Sequence, residues 1–133
     1  MIWLKTIEKA NASLINLDKN GDIFVSGSFR SNVDFDPGPG QFILPHSGVL
    51  KSDFLLKLDK HGNFIWVINV VRGSNVSHIY DFYFDINEDI ILTGSIRSPA
   101  DFDPGPGIFE LSGLWDRTSS FVSKLDKIVI SNG

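Results

Sequence analysis

Four aspartates carry the most suggestive chemistry in this chain: Asp34 and Asp36, and again Asp101 and Asp103. A Phe separates the members of each pair, and Pro-Gly-Pro-Gly follows both times. Carboxylates at i and i+2 of an extended segment point to the same side, because successive side chains alternate. Two carboxylates on one side of an oxygen-rich loop suit a hard cation, so calcium is the candidate cofactor. A dedicated calcium loop also supplies a distal Glu and further acidic ligands, which neither loop has. The same aspartates can instead cap backbone N–H groups in Asx-turns, with Phe35 plugging a core and Pro-Gly shaping the bend. A catalytic carboxylate pair is a third reading, and duplication speaks against it. Catalysis needs one constellation whose two groups sit in different environments. No catalytic residue is assigned, and the chain is expected not to be an enzyme.

Trp115 and Arg117 form a second candidate site, in the stretch Gly113-Leu114-Trp115-Asp116-Arg117. An aromatic ring beside charged side chains on a loop is the composition of sugar and protein contacts. The three histidines, His46, His61 and His78, occupy unrelated positions and are expected on the surface. There is no HExxH, no Gly-x-Ser-x-Gly elbow and no Gly-rich phosphate loop. The absence of Cys excludes a thiol nucleophile, a disulfide framework and a zinc knuckle.

The chain has 133 residues, 42% hydrophobic and 21% charged, which is ordinary for one soluble domain. A net charge of −4 with no Lys/Arg cluster argues against nucleic acid as partner. The longest apolar run, residues 64–71, is interrupted by Asn69 and far too short to span a bilayer, so no membrane insertion is expected. Met1-Ile2-Trp3-Leu4-Lys5 lacks the basic start and long apolar core of a signal peptide. The chain is therefore expected to be cytoplasmic or a piece of a longer secreted protein.

What positions the aspartates is a repeat. Asp34 returns as Asp101, 67 residues on, and the same offset aligns Asp22-Ile23 with Asp89-Ile90 and Gly27-Ser28 with Gly94-Ser95. It also aligns Lys57-Leu58-Asp59-Lys60 with Lys124-Leu125-Asp126-Lys127. A sustained period of this kind outranks local signals. The local signals are all strands and turns. Strands are predicted at 2–7, 13–17, 22–29, 53–59, 63–69, 78–85, 89–96 and 120–126, with no helical periodicity. Asp18-Lys19-Asn20-Gly21 and Lys60-His61-Gly62 predict tight hairpin turns. Gly27 and Gly94, inside strands, predict a bulge or a close backbone approach. Residues 30–52 read as a long loop, and 70–77 as a crossover. The fold class is all-β, built of antiparallel four-stranded units over about 13–77 and 78–133, preceded by one stray strand at 2–7.

The stretches Leu17-Asp18-Lys19-Asn20-Gly21-Asp22-Ile23, Val33-Asp34-Phe35-Asp36-Pro37-Gly38-Pro39-Gly40 and Lys57-Leu58-Asp59 through Trp66 resemble the β-propeller repeats (SBBP-type) of bacterial surface and secreted proteins. That resemblance implies blades of a β-propeller, about two of them where a ring has four to eight. It also implies a secreted or cell-surface setting and a structural or binding module, a fragment or remnant of a larger propeller, that contacts protein or glycan. Alternatives are a lectin-like oligomeric propeller and a polysaccharide-active hydrolase or lyase. Trp3 and Trp66, each preceded by Ile, are expected to pack blades. The second unit lacks a counterpart of the Trp66 strand, so strand 2–7 of a neighbouring copy is a candidate to complete it by self-association.

Overall fold

The computed structural model describes the backbone of residues 1–44, 51–74, 77–96, 100–101, 110–111 and 118–126, with side chains over 1–44, 51–71, 78–96 and 118–126. Among these residues there is no helix, and all eleven elements are strands. Strands β1 (Ala10–Leu17), β2 (Ile23–Phe29), β5 (Lys51–Leu58) and β6 (Phe64–Ser74) form one antiparallel meander. Between β2 and β5 runs a short ribbon, β3 (Val33–Asp34) with β4 (Ile43–Leu44). A second sheet places β8 (Ile90–Ile96) between β7 (Ser77–Phe84) and β11 (Ser119–Leu125). Its ribbon is β9 (Ala100–Asp101) with β10 (Glu110–Leu111). Arg72 pairs with Asp101, which joins that ribbon to the far edge of the first sheet. No helix among the described residues is long and apolar enough to cross a membrane.

The repeat is reproduced strand for strand. β7, β8, β9 and β10 each begin and end 67 residues after β1, β2, β3 and β4. Even the ladder irregularity recurs, between Ala12 and Leu14 and between Ile79 and Asp81. At that irregularity a glycine faces the partner backbone. A Cβ on Gly27 would overlap the Asn11 carbonyl, and one on Gly94 would overlap the His78 carbonyl. The close approach predicted from the two in-strand glycines is therefore present.

Each hairpin turn is held by one aspartate. Asp18 Oδ1 accepts the N–H groups of Asn20 (2.9 Å) and Asp22 (3.0 Å). Asp59 does the same for His61 (2.8 Å) and Asn63 (2.9 Å), and Asp85 for Asn87 (2.9 Å) and Asp89 (3.0 Å). The fourth turn residue must adopt a left-handed backbone, and Gly21 and Gly62 do so at φ 83°. In the third turn the residue there is Glu88, at φ 66°. A side chain in that conformation costs about 1–2 kcal/mol, and its Lys19 partner at 3.9 Å returns little on the surface. Glu88→Gly is thus expected to raise the unfolding midpoint, by about 0.5–1 kcal/mol once the entropy of glycine is counted. A thermal melt showing no gain would refute the strain.

A lysine crosses from the third strand of each sheet to that turn. Lys57 Nζ lies 3.7 Å from Asp22 and 3.9 Å from Asp18, while Lys124 Nζ lies 2.9 Å from Asp85 and 4.0 Å from Asp89. The Lys124 hydrogen bond, followed by the turn N–H groups, holds the Asp85 carboxyl below its ordinary value. The Asn63 and His61 N–H groups do the same for Asp59. A depressed carboxyl stabilises the fold above its unfolded value and stops doing so as pH falls through its folded one. Stability should accordingly fall on acidification below the ordinary value of 3.8. An Asp59→Asn, Asp85→Asn double variant should show a shallower decline of melting temperature between about pH 4 and pH 2.

The two faces of the first sheet are both covered, by different partners. Cross-strand neighbours share a face, so Ile15, Leu17, Ile23, Val25, Leu56 and Leu58 lie on what is here called the front. Phe29, Phe54, Leu56, Leu58 and Val67 pack there with Val33 and Phe35 from the ribbon, and Ile7 and Ala10 join them. The back carries Phe24, Leu55, Trp66 and Ile68, and these meet the second sheet. What the second sheet presents is its own front: Phe82, Ile90, Leu92 and Leu125, the counterparts of Ile15, Ile23, Val25 and Leu58. The units are therefore stacked front to back, like successive members of a series. Asn16 Nδ2 donates across this junction to the Phe82 carbonyl at 3.0 Å.

Several predicted boundaries are corrected. Residues 2–7 are not a strand; Met1, Ile2 and Leu4 are exposed, and the first strand begins at Ala10. A strand needs a partner edge, and β1 takes its one partner, β2, on one side only. Trp3 and Lys5 instead lie over the Gly62 turn, within 3.2–3.3 Å of where a Cβ would stand there. Trp66 packs edge-on against Phe24 at 5.6 Å, as expected, whereas Trp3 is partly exposed and off any sheet. The predicted crossover at 70–77 is largely strand, because Val70 and Val71 are buried between the sheets and carry β6 on to Ser74. The predicted long loop at 30–52 contains the β3–β4 ribbon, and β5 starts at Lys51.

Candidate functional site

The Asp-Phe-Asp-Pro-Gly loop of the first unit builds outward from Phe35. Its ring is fully buried, 5.4 Å from Phe29 and 4.7 Å from Phe54. With Phe35 turned inward, alternation turns Asp34 and Asp36 outward. Their first task is local. Asp34 Oδ1 accepts the N–H groups of Asp36 (3.0 Å) and Phe42 (2.9 Å), and the Phe35 N–H donates to the Phe42 carbonyl at 2.8 Å. Asp36 Oδ1 accepts the Gly38 N–H at 2.8 Å. Gly40 is required by the same packing, since a Cβ there would stand 2.5 Å from Asp36 Oδ2. The Asx-turn reading of these residues is thus satisfied geometrically, and it leaves their outer surface open.

That outer surface is one wall of a polar cleft of about 380 Å³. Asp34, Asp36 and Asn32 face Glu8 and Lys9 across it, with Thr6, Pro37 and Ile43 completing the lining. Lys9 sits at φ 67°, a left-handed residue at the entry to β1 that turns the chain into the cleft wall. The cleft combines three carboxylates, one ammonium and one amide on half-exposed walls. It can accept hydrogen bonds from hydroxyl or amine groups and donate through Lys9 and Asn32. Among the described residues no group of three or more His, Asp or Glu converges as a metal site. Asp34→Ala removes two hydrogen bonds from the ribbon and should cost about 1–2 kcal/mol, more than Asp36→Ala, which removes one. Equal losses in chemical denaturation would contradict this division of labour.

A second polar pocket, about 100 Å³, lies where β1 and β2 meet β5 and β7. Ser26, Lys51, Asp53 and His78 are among its walls, and Lys51 pairs with the buried Asp53 at 3.5 Å. The Ser26 hydroxyl is buried and finds no partner among the described residues. The volume suits a few waters, which would satisfy it.

Sequence reasoning picked out Asp34 and Asp36, and the structure brings them together on one cleft. Asp101 lies on β9 at the equivalent place, while Asp103, Trp115 and Arg117 lie outside the described residues, as does His46. His61 and His78 are exposed, as expected. Glu8, Lys9 and Asn32 were missed. Only the left-handed turn at Lys9 brings them beside the loop, and a lysine gives no warning of that conformation. The turn-bridging Lys57 and Lys124 were legible in principle as the repeated Lys-Leu-Asp, but their partners are distant in sequence. No family model, no curated protein and no solved structure matches this chain.

Proposed function

We propose that this chain is a pair of β-propeller blade units of the SBBP type, acting as a non-enzymatic structural and binding module of a surface-associated protein. The observation that carries the reading is the front-to-back stacking of two sheets that repeat strand for strand at 67 residues. Blades of a ring succeed one another in that manner, and the meander β1-β2-β5-β6 has the four strands of a blade. Polar groups that recur with the repeat favour a contact surface over a unique reaction centre. The ligand class the cleft suits is a hydroxyl-rich glycan or a polar protein loop, gripped by Asp34, Asp36, Asn32 and Lys9. Trp115 and Arg117 are proposed to add an aromatic contact to the same ligand class.

The test is a glycan array probed with the intact chain and with Asn32→Ala, Lys9→Ala and Trp115→Ala variants. Binding that drops in these variants, with melting temperature preserved, supports the module. Turnover of a polysaccharide, abolished by changing Asp34 alone while Asp101 is intact, would overturn it in favour of an enzyme. Calcium is tested alongside. A bound cation must raise the melting temperature at millimolar calcium, and an unchanged melt removes the metal.

A further inference from the structure

We infer that the chain self-associates head to tail, the front of the first sheet of one copy docking on the back of the second sheet of another. The argument compares the same repeat positions in their two settings. On the back, Leu55 is 1% exposed beneath the second sheet, whereas its counterpart Val122 is 76% exposed. On the front, Phe82 is 1% exposed against the first sheet, whereas its counterpart Ile15 is 71% exposed and Leu17, the counterpart of Phe84, 56%. One molecule therefore carries both halves of a junction it already contains once. The halves are at opposite ends of the stack, where they cannot meet each other within two units.

The occupant that fits is a second copy, since the internal junction shows the front of one unit seated on the back of another. The differences between the units strengthen the case. Asn16 and Lys19, which reach polar partners across the internal junction, are replaced in the second unit by Tyr83 and Ile86. Tyr83 and Ile86 are exposed, 60% and 96%. The open back face is thus more apolar than its buried counterpart, and a contiguous apolar face of that kind marks an interaction surface. Because the two patches differ, the contact is heterologous; it closes into a ring if the rotation allows and otherwise continues as a filament. The inference draws only on how the sheets dock, and stands whether or not the cleft binds a ligand.

The experiment is analytical ultracentrifugation of the intact chain across a wide concentration range, with Leu17→Asp and Val122→Asp as single variants. Both positions are exposed, so each variant should keep the wild-type circular dichroism; Ile15→Thr and Val122→Thr serve if either does not. The wild type is expected to sediment as species of two or more times 14.8 kDa. Each variant is expected to weaken association by roughly tenfold or more. Mixing the two variants should produce a dimer and nothing larger, because only one good front and one good back remain between them. A wild type that stays at 14.8 kDa throughout would overturn the inference, as would folded variants that associate as the wild type does.

Discussion

Phe35→Ala is expected to destabilise the protein by about 3–5 kcal/mol, the range for deleting a fully buried aromatic ring. Phe35 is wholly buried and sits between Phe29 and Phe54, whose rings it touches at 5.4 and 4.7 Å. The ribbon around it has little else to hold it. β3 and β4 contribute two residue pairs to their ladder, Val33 with Leu44 and Asp34 with Ile43. Removing the ring therefore leaves a cavity and also frees the loop that places Asp34 and Asp36. A domain of this size has a total stability of only about 5–15 kcal/mol, so much of it is at stake. Urea denaturation gives the number directly, and Phe35→Leu should retain a large part of the loss. A Phe35→Ala midpoint close to wild type would mean that the loop is not anchored by this ring.

Gly27→Ala comes next, at about 3 kcal/mol, the upper part of the range for overpacking. The added Cβ would overlap the Asn11 carbonyl, and both backbones are held by the ladder, where Ala12 pairs with Gly27. Relief therefore requires β1 to move away from β2, and β1 carries Leu14, which packs into the core between the sheets. Gly94→Ala should behave alike, as its Cβ would meet the His78 carbonyl and the Phe121 ring. Denaturation measures the loss, and hydrogen exchange should show the amides of β1 opening first in Gly27→Ala. A substitution tolerated without loss would mean that the two strands can separate freely, and the repeated irregularity would then have no structural role.

The period, the strands and the turns could be read from sequence because their causes are local or duplicated. Asp18, Asp59 and Asp85 bind N–H groups two and four residues ahead, so each turn lies within five consecutive residues. Gly27 and Gly94 announced a close approach because only the lack of a side chain permits one. Asp34 and Asp36 were likewise legible as a pair, since alternation around a buried Phe is a property of the extended chain itself.

Tertiary structure decided what depends on a neighbour. Ile2-Trp3 and Ile65-Trp66 have the same composition, yet only the second pair lies in a strand, because only it has an edge to bind. Val70 and Val71 read as part of a crossover, but burial between two sheets made them strand. Glu8 and Lys9 joined the cleft through a backbone turn that their side chains do not encode. Leu55 and Val122 state the rule most plainly. They are equivalent, similar residues on equivalent strands, one buried and one exposed. Sequence determined that each would lie on a sheet's back face; whether that face is covered depends on which unit stacks behind it, and hydrophobic burial exists only where two surfaces meet.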